Sequence, residues 1–339
     1  MTDEAVREHS WRSALRNKII NTGIRVACGQ SVSFDANAAA GVPLVSAGIR
    51  LGWVRLLGSL GLRSFVARSG LGYDFVCHVG DLSEHPFYYR RACENELAIC
   101  AAWLHDENRP IVYDVGANVG FFATHLAQML APRSPHILAF EPVPLTFVKL
   151  VETVQRLGLG ERVKPIAAAV SDKHDTLCLA YSERNSPYAQ VAIAQPHVRV
   201  GSDSALAVAL TLDDFCTATA LVPSLIKIDV EGSEPAVLRG ATNLLSRPEP
   251  PALLLEHNPT TLAEFGADAG EVQQLLAGFS LFYVDDIEGQ RRPFGSAIAS
   301  LSEIEWICNV FAVPKSPQSR SRWEGALKRA SETIAPPPA

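Results

Sequence analysis

Four short segments of the sequence are almost continuously apolar and end at or beside an acidic residue. They are IVYDV at 111–115, HILAFE at 136–141, SLIKIDV at 224–230 and ALLLEH at 252–257. Runs that are apolar on both faces are typical of central parallel strands covered by helices. Apolar residues at helical spacing lie between the runs, at 121–130 and 144–158. This alternation predicts an α/β fold with an open, doubly wound, mostly parallel sheet.

The acidic residues at the ends of these predicted strands are Asp114, Glu141, Asp229 and Glu256. In an open α/β sheet, ligands bind beyond the carboxyl ends of the strands, near the point where the strand order reverses. We therefore expect the four acids to share one rim of the sheet and to border a ligand site.

The first predicted strand is followed at once by Gly-Ala-Asn-Val-Gly at 116–120. A dinucleotide fingerprint would have a glycine at the position of Asn118, so that pyrophosphate can approach the helix N-terminus. A ligand with a ribose and an amino acid part but no pyrophosphate fits this loop better, and S-adenosylmethionine is such a ligand. Glu141, which Pro142 follows, can accept both ribose hydroxyls, although NAD enzymes use an acid at the same place.

Five segments together resemble the FkbM-type S-adenosylmethionine-dependent methyltransferases over about residues 85–314. They are DVGANVGFF (114–122), AFEPVP (139–144), AAVSD (168–172), LTLDDF (210–215) and IKIDVEGSEPAVLRGA (226–241). The resemblance implies a class I methyltransferase fold, which is a Rossmann-like sheet of seven mostly parallel strands whose last strand is antiparallel. It also implies transfer of a methyl group to a hydroxyl of a sugar or another small natural product.

The resemblance further implies a set of cofactor-binding residues. The loop after the first strand would line the methionine end, Glu141 would hold the ribose, and Asp172 would lie near the adenine. The full implied set is Asp114, Gly116, Ala117, Asn118, Gly120, Glu141, Pro142, Asp172 and Asp229. Residues 181–210 match no motif, so the identity of the acceptor is not implied.

A hydroxyl acceptor needs a base, and four residues at the rim are candidates: Asp229, Glu231, Glu256 and His257. Glu231 could instead interact with the N-terminus of the next helix, and His257 could be structural. Asp213 and Asp214 are interpreted as helix-capping residues. A metal ion held by Asp229, Glu231, Glu256 and His257 is conceivable, but no spacing typical of metal ligands supports it, so we expect no metal ion.

Three regions are predicted along the chain. Residues 1–84 form a mainly helical N-terminal extension or cap, 85–314 the methyltransferase domain, and 315–339 a polar, flexible tail. Within the extension, the Arg-rich segment 50–68 could be an amphipathic helix on an anionic membrane. Its two internal glycines and irregular period favour a cap packed on the core.

The composition narrows the class of protein and the location. The 339 residues have a net charge of −6, which argues against nucleic acid as a partner. The seven cysteines are scattered and show no zinc-ligand spacing, as in a reducing compartment, and no signal peptide or membrane-spanning run is visible. We therefore expect a cytoplasmic enzyme with a small-molecule or carbohydrate acceptor. Two alternatives stay open: an NAD(P)-dependent dehydrogenase, and a non-catalytic S-adenosylmethionine-binding partner subunit.

Overall fold

The computed structural model describes residues 56–69, 71–79, 93–182, 185–191, 204–286 and 293–334. The chain divides into two compact units, residues 1–92 and 93–339. The predicted boundary between residues 84 and 85 lies outside the described residues.

The described part of the first unit is a β-hairpin preceded by one helical turn at 56–59. Its antiparallel strands are β1 (Ser64–Arg68) and β2 (Asp74–His78), and Gly72 takes a left-handed φ of +82° in the turn. Phe65 of β1 is buried, and so is every residue of β2 after Asp74. The prediction of a mainly helical extension is therefore wrong for the described residues. The alternative of one helix over 50–68 is wrong for Ser64–Arg68, which form β1.

The main sheet of the second unit has five adjacent parallel strands and an antiparallel edge. The predicted strands at 111–115, 136–141, 224–230 and 252–257 are confirmed, and the last strand, Cys308–Pro314, is antiparallel as expected. The described sheet has eight strands rather than seven, because a two-residue strand adds to one edge. In spatial order the strands are β13 (Ala297–Ile298), β12 (Phe279–Asp286), β14 (Cys308–Pro314), β11 (Ala252–His257), β10 (Leu225–Ile228), β3 (Ile111–Val115), β4 (His136–Phe140) and β5 (Val163–Ile166).

A second, four-stranded sheet is built largely from the segment in which no motif was found. Its strands, in spatial order, are β6 (Ala169–Val170), β9 (Ser204–Leu210), β7 (Asp175–Ser182) and β8 (Asn185–Val191).

Helices connect the strands of the second unit. The predicted helices at 121–130 and 144–158 are confirmed, and Gly158, with φ +66°, follows the end of the second. The described helices are α1 (Glu94–Trp103), α2 (Phe121–Met129), α3 (Pro144–Arg156), α4 (Leu212–Thr219), α5 (Glu234–Arg239), α6 (Thr242–Leu245), α7 (Pro259–Glu264), α8 (Ala269–Leu275) and α9 (Pro317–Ile334), with short 3₁₀ helices at Ala131–Arg133 and Leu301–Glu303. Among these, none has both the length and the apolar character that a membrane crossing requires.

One face of the main sheet packs against helices α5, α7 and α8. Tyr113, Ile226 and Leu255 project from the central strands into this core, where they join Val237 of α5 and Leu262 of α7. Because side chains alternate along a strand, the residues between them project to the opposite face.

The predicted flexible tail is wrong for residues 317–334, which form helix α9. Trp323, Ala326 and Ala330 are buried, and their spacing of three and four residues places them on one side of the helix. The ring of Trp323 stacks on Phe282 and Phe311, with centroid distances of 4.4 and 5.2 Å. A polar composition concealed this narrow apolar stripe.

Candidate active site

The loop between β3 and α2 is folded tightly against two neighbouring strands. The amides of Gly116 and Ala117 donate to the carbonyl of Phe140 at the end of β4, at 3.0 and 2.9 Å. Gly116 has φ +81°, and a Cβ atom there would lie 1.8 Å from the carbonyl oxygen of Asp229, at the end of β10. At Gly120, with φ +88°, a Cβ would lie 2.6 Å from Leu150. Both positions therefore require glycine.

Glu141 fixes the same loop from the other side. Its Oε2 accepts a hydrogen bond from the amide of Asn118 at 3.0 Å, and its Oε1 accepts one from Val143 at 2.9 Å. Burial raises the pKa of Glu141 to about 7, although these two amides oppose the shift. The carboxylate keeps about half of its roughly four acceptor positions, which suits a pair of ligand hydroxyls.

Asp114, Lys227 and Asp229 form a chain of opposite charges at the carboxyl ends of β3 and β10. The ammonium of Lys227 lies 3.5 Å from Oδ1 of Asp114 and 3.1 Å from Oδ2 of Asp229. The Asp114 side chain is fully buried, Lys227 is 12% exposed and Asp229 is 39% exposed, so the chain of charges leads from the interior to the surface. Burial raises the pKa of Asp114, and Lys227 opposes that shift. Although burial alone would lower it, Asp229 and Asp114 raise the pKa of Lys227.

Strand register places Glu256 beside Asp229. Ile228 pairs with Leu255, so the next residues along the two parallel strands are neighbours on the same face. One carboxylate oxygen each of Asp229, Glu231 and Glu256 lie within 4.8 Å of one another. We call these three residues the carboxylate cluster.

The carboxylate cluster concentrates negative charge in a partly buried place. Burial, together with the charges of Asp229 and Glu234, raises the pKa of Glu231 to about 7. Burial and the charges of Asp229 and Glu231 raise the pKa of Glu256 to about 9. Groups of this kind can hold and release a proton near neutral pH.

The turn after β10 orients the carboxylate cluster. Glu231 has a left-handed φ of +53°, which is uncommon for a residue with a side chain. Gly232 packs so closely on α7 that a Cβ would lie 2.6 Å from the carbonyl of Thr261. Glu234 accepts hydrogen bonds from the amides of Val230 and Gly232, so it stabilises the turn.

His257 does not join the carboxylate cluster, which corrects the expectation for this residue. It follows Glu256 on β11 and therefore projects to the opposite face of the sheet. The imidazole is 1% exposed, and its Nε2 lies 3.3 Å from the carbonyl oxygen of Ile304. Burial lowers its pKa. These contacts indicate a structural role.

The side chain of Asp172 forms an ion pair with Arg239. Its Oδ2 accepts from Nε of Arg239 at 3.2 Å. The role beside the adenine stays a prediction, as does the role of Pro142. The capping interpretation of Asp213 and Asp214 is wrong for their own helix, because the Thr211 side chain caps α4 by accepting from the amide of Asp214. Asp213 instead accepts from the amides of Asn243 and Leu244 at the distant helix α6.

Sequence reasoning missed two residues of this face. Lys227 is a cation within an otherwise apolar strand, two residues before Asp229, and that spacing alone places both side chains on one face. Asn309 pairs with Glu256 across β14 and β11, and its side chain donates to Glu96 of α1 at 2.8 Å. No local pattern could reveal that second contact, because it joins residues 213 positions apart.

A group of three carboxylates is also able to hold a metal ion. Acidic clusters are common without one, and the Lys227 ammonium already compensates Asp229. The expectation of a metal-free site stays a prediction.

Comparison with known proteins gives one family and one curated relative. Residues 114–281 match the family described as the methyltransferase FkbM domain. The hexuronic acid methyltransferase AglP of Haloferax volcanii is 30% identical over 141 residues, which cover 41% of this chain and 53% of that protein. The chain thus spans about half the length of this relative.

Two solved structures that are similar to this chain are named as methyltransferases. The FkbM methyltransferase of Methylobacillus flagellatus KT has a TM-score of 0.37 and 15% identity, covering 68% of this chain and 55% of that one. A SAM-dependent methyltransferase of Aquifex aeolicus has a TM-score of 0.35 and 15% identity, covering 65% and 90%.

The strand order, with its parallel centre and antiparallel edge, is that of a class I methyltransferase with one additional edge strand. The glycine loop, Glu141 and the carboxylate cluster all lie within the matched segment. Residues 114–281 of this chain therefore belong to the FkbM methyltransferase domain family.

Proposed function

We propose that this protein transfers a methyl group from S-adenosylmethionine to a hydroxyl of a sugar or another small natural product. The observation that carries the proposal is the position of Asp229. Its backbone carbonyl packs against Gly116 of the loop, and its carboxylate belongs to the cluster with Glu231 and Glu256. Asp229 thus contacts both the loop that is suited to hold a cofactor and the acids that are suited to accept a proton.

The loop suits S-adenosylmethionine better than a dinucleotide. Asn118 occupies the place of the glycine that a pyrophosphate would need, and its side chain accepts from the amide of Val119 at 2.7 Å. Gly116 and Gly120 let the loop pack directly against Asp229 and Leu150, and Glu141 keeps acceptor positions for ribose hydroxyls.

The residues of this chain would bind, orient and deprotonate the acceptor. When bound, S-adenosylmethionine supplies an electrophilic methyl group on a sulfonium. The carboxylate cluster would accept the proton of the acceptor hydroxyl during methyl transfer. A positioned carboxylate base contributes about 10²–10⁴-fold to such a step.

A carbohydrate acceptor is supported by the relative that is named for acting on a hexuronic acid. The exposed carboxylate of Asp229 is suited to this class, because it accepts hydrogen bonds from sugar hydroxyls.

The experiment is a binding measurement followed by a transfer assay. Calorimetry with S-adenosylhomocysteine and with NAD should show binding of the first alone. Methyl transfer from radiolabelled S-adenosylmethionine should then appear with at least one member of a panel of hexoses, hexuronic acids and polyol natural products. Binding of NAD alone would favour a dehydrogenase, and cofactor binding without transfer to any acceptor would favour a non-catalytic subunit.

A further inference from the structure

Lys227 occupies an unusual place for a lysine. It lies on β10, which has a parallel neighbour on each side, and it projects to the face opposite Ile226 and Ile228. Its ammonium is 5.5 Å from the ring centroid of Phe122, on α2. A buried ammonium is costly unless it is paired, so this position indicates a specific task.

The surroundings of Lys227 and Asp229 lack any other cation among the groups that interact with them in the described part of the chain. Those groups are acids or thiols, namely Cys93 and Cys100 at and within α1, Asp114 of β3, Glu141 after β4, Glu231 and Glu234 after β10, and Glu256 of β11. Lys227 therefore supplies the positive charge that this region requires.

The ammonium also joins two parts of the site that come from distant segments. Asp114 leads directly into the glycine loop, while Asp229 begins the turn that carries the cluster. A single side chain in contact with both can transmit the position of one to the other.

We propose that Lys227 is a positioning residue for methyl transfer: its ammonium anchors the Asp229 carboxylate to Asp114 and so fixes the carboxylate cluster beside the cofactor loop. This inference rests on the proposed function. Lys227 acts through Asp229 and does not itself touch the acceptor. Loss of the ammonium would leave the carboxylate cluster less compensated and less ordered, while the glycine loop and Glu141 would keep their own hydrogen bonds.

The test compares Lys227→Met, which has similar length and no charge, with Lys227→Arg, which keeps the charge. The matched control is Lys164→Met, another strand lysine of the same sheet, which is exposed on β5. We expect Lys227→Met to lower kcat at neutral pH by about tenfold or more, with S-adenosylhomocysteine affinity changed by less than about threefold. The acid limb of the kcat profile should move up by about one pH unit, because carboxylates that lose a positive neighbour bind protons more tightly. Lys227→Arg should restore the wild-type limb, and Lys164→Met should not move it.

Several outcomes would overturn the inference. If a folded Lys227→Met protein keeps the wild-type kcat, KM and acid limb of the kcat profile, Lys227 has a structural role alone. If that variant does not fold, the single variant Asp114→Asn is compared with the double variant Asp114→Asn/Lys227→Met. Both lack the buried Asp114 carboxylate, which would have no positive partner once Lys227 is replaced. The double variant should then have a lower kcat and a higher acid limb than the single one, and identical profiles would contradict the proposal. A wild-type protein without methyl transfer would instead refute the proposed function, and with it this inference.

Discussion

The carbonyl oxygen of Asp229 lies where a side chain on Gly116 would begin, 1.8 Å from the position of a Cβ atom. This contact brings the end of β10 against the loop that follows β3, and it leaves no room for a larger residue. The loop and the carboxylate cluster are thereby held in one arrangement.

Gly116→Ala should therefore weaken cofactor binding strongly. The new Cβ must displace the Asp229 carbonyl, and alanine at φ +81° adds about 1–2 kcal/mol of backbone strain. Gly158→Ala is the matched control, since that glycine has φ +66° and open space around its Cβ position. Calorimetry with S-adenosylhomocysteine should show affinity reduced by about 100-fold or more in the first variant only. Equal affinities in the two variants would show that the close contact is not needed.

The contact between Gly116 and Asp229 also shows how far the sequence could predict this site. The parallel strands, their terminal acids and the glycine loop follow from local patterns, and all were predicted. The faces on which side chains lie depend on strand register. Glu256 and His257 are adjacent polar residues, but they project to opposite faces of the sheet. The register places Glu256 beside Asp229, whereas His257 lies against the carbonyl of Ile304. Packing between distant segments, as of Trp323 on Phe282, leaves only a weak trace in the sequence.

Glu141→Ala should weaken cofactor binding by roughly 2–3 kcal/mol, the loss typical of charged hydrogen bonds. The variant loses the acceptor for ribose hydroxyls and also the acceptor for the amide of Asn118. Glu152→Ala is the control, because that glutamate is 39% exposed and pairs with Arg156 on the surface of α3. Titration calorimetry at neutral pH would measure both. An unchanged dissociation constant for Glu141→Ala would remove this residue from the cofactor site.

The unfolding free energy of the ligand-free protein should fall as the pH rises from about 5 to about 8. Glu141, Glu231 and Glu234 have pKa values raised to about 7, and Glu256 to about 9, from an ordinary value of 4.5. Between these limits the folded protein holds protons that the unfolded chain releases, so rising pH favours unfolding. The lowered pKa of His257 acts in the opposite direction at acidic pH.

The variant Glu256→Gln tests the contribution of one glutamate to this loss of stability with rising pH. Removal of a carboxyl group whose pKa is raised should stabilise the protein by on the order of 1–3 kcal/mol at about pH 8 and by much less at about pH 5. Urea unfolding at the two pH values would measure the difference, with the exposed Glu324→Gln on α9 as the control. Stabilisation of equal size at both pH values would contradict the assigned shift.

His257→Ala should lower stability and leave the chemistry nearly intact. The imidazole is buried, bonded to the Ile304 carbonyl and turned away from the carboxylate cluster, so its loss leaves a cavity and an unpaired carbonyl. We expect a loss of roughly 1–3 kcal/mol in unfolding free energy and a kcat within about threefold of wild type, measured below the transition temperature. A folded variant with unchanged stability and turnover reduced by about 100-fold or more would restore His257 as the candidate base.

Helix α9 should be an integral part of the methyltransferase unit. The indole of Trp323 stacks on Phe282 of β12 and Phe311 of β14, and the neighbouring Arg322 lies 4.1 Å from the ring of Trp103 on α1. Trp323→Ala should destabilise the protein by about 3–5 kcal/mol, as expected for removal of a large buried ring. Lys328→Ala, on the exposed side of the same helix, should change stability by less than about 0.5 kcal/mol. Chemical unfolding followed by tryptophan-independent far-UV circular dichroism would compare them, and equal stabilities would mean that α9 is not held by this contact.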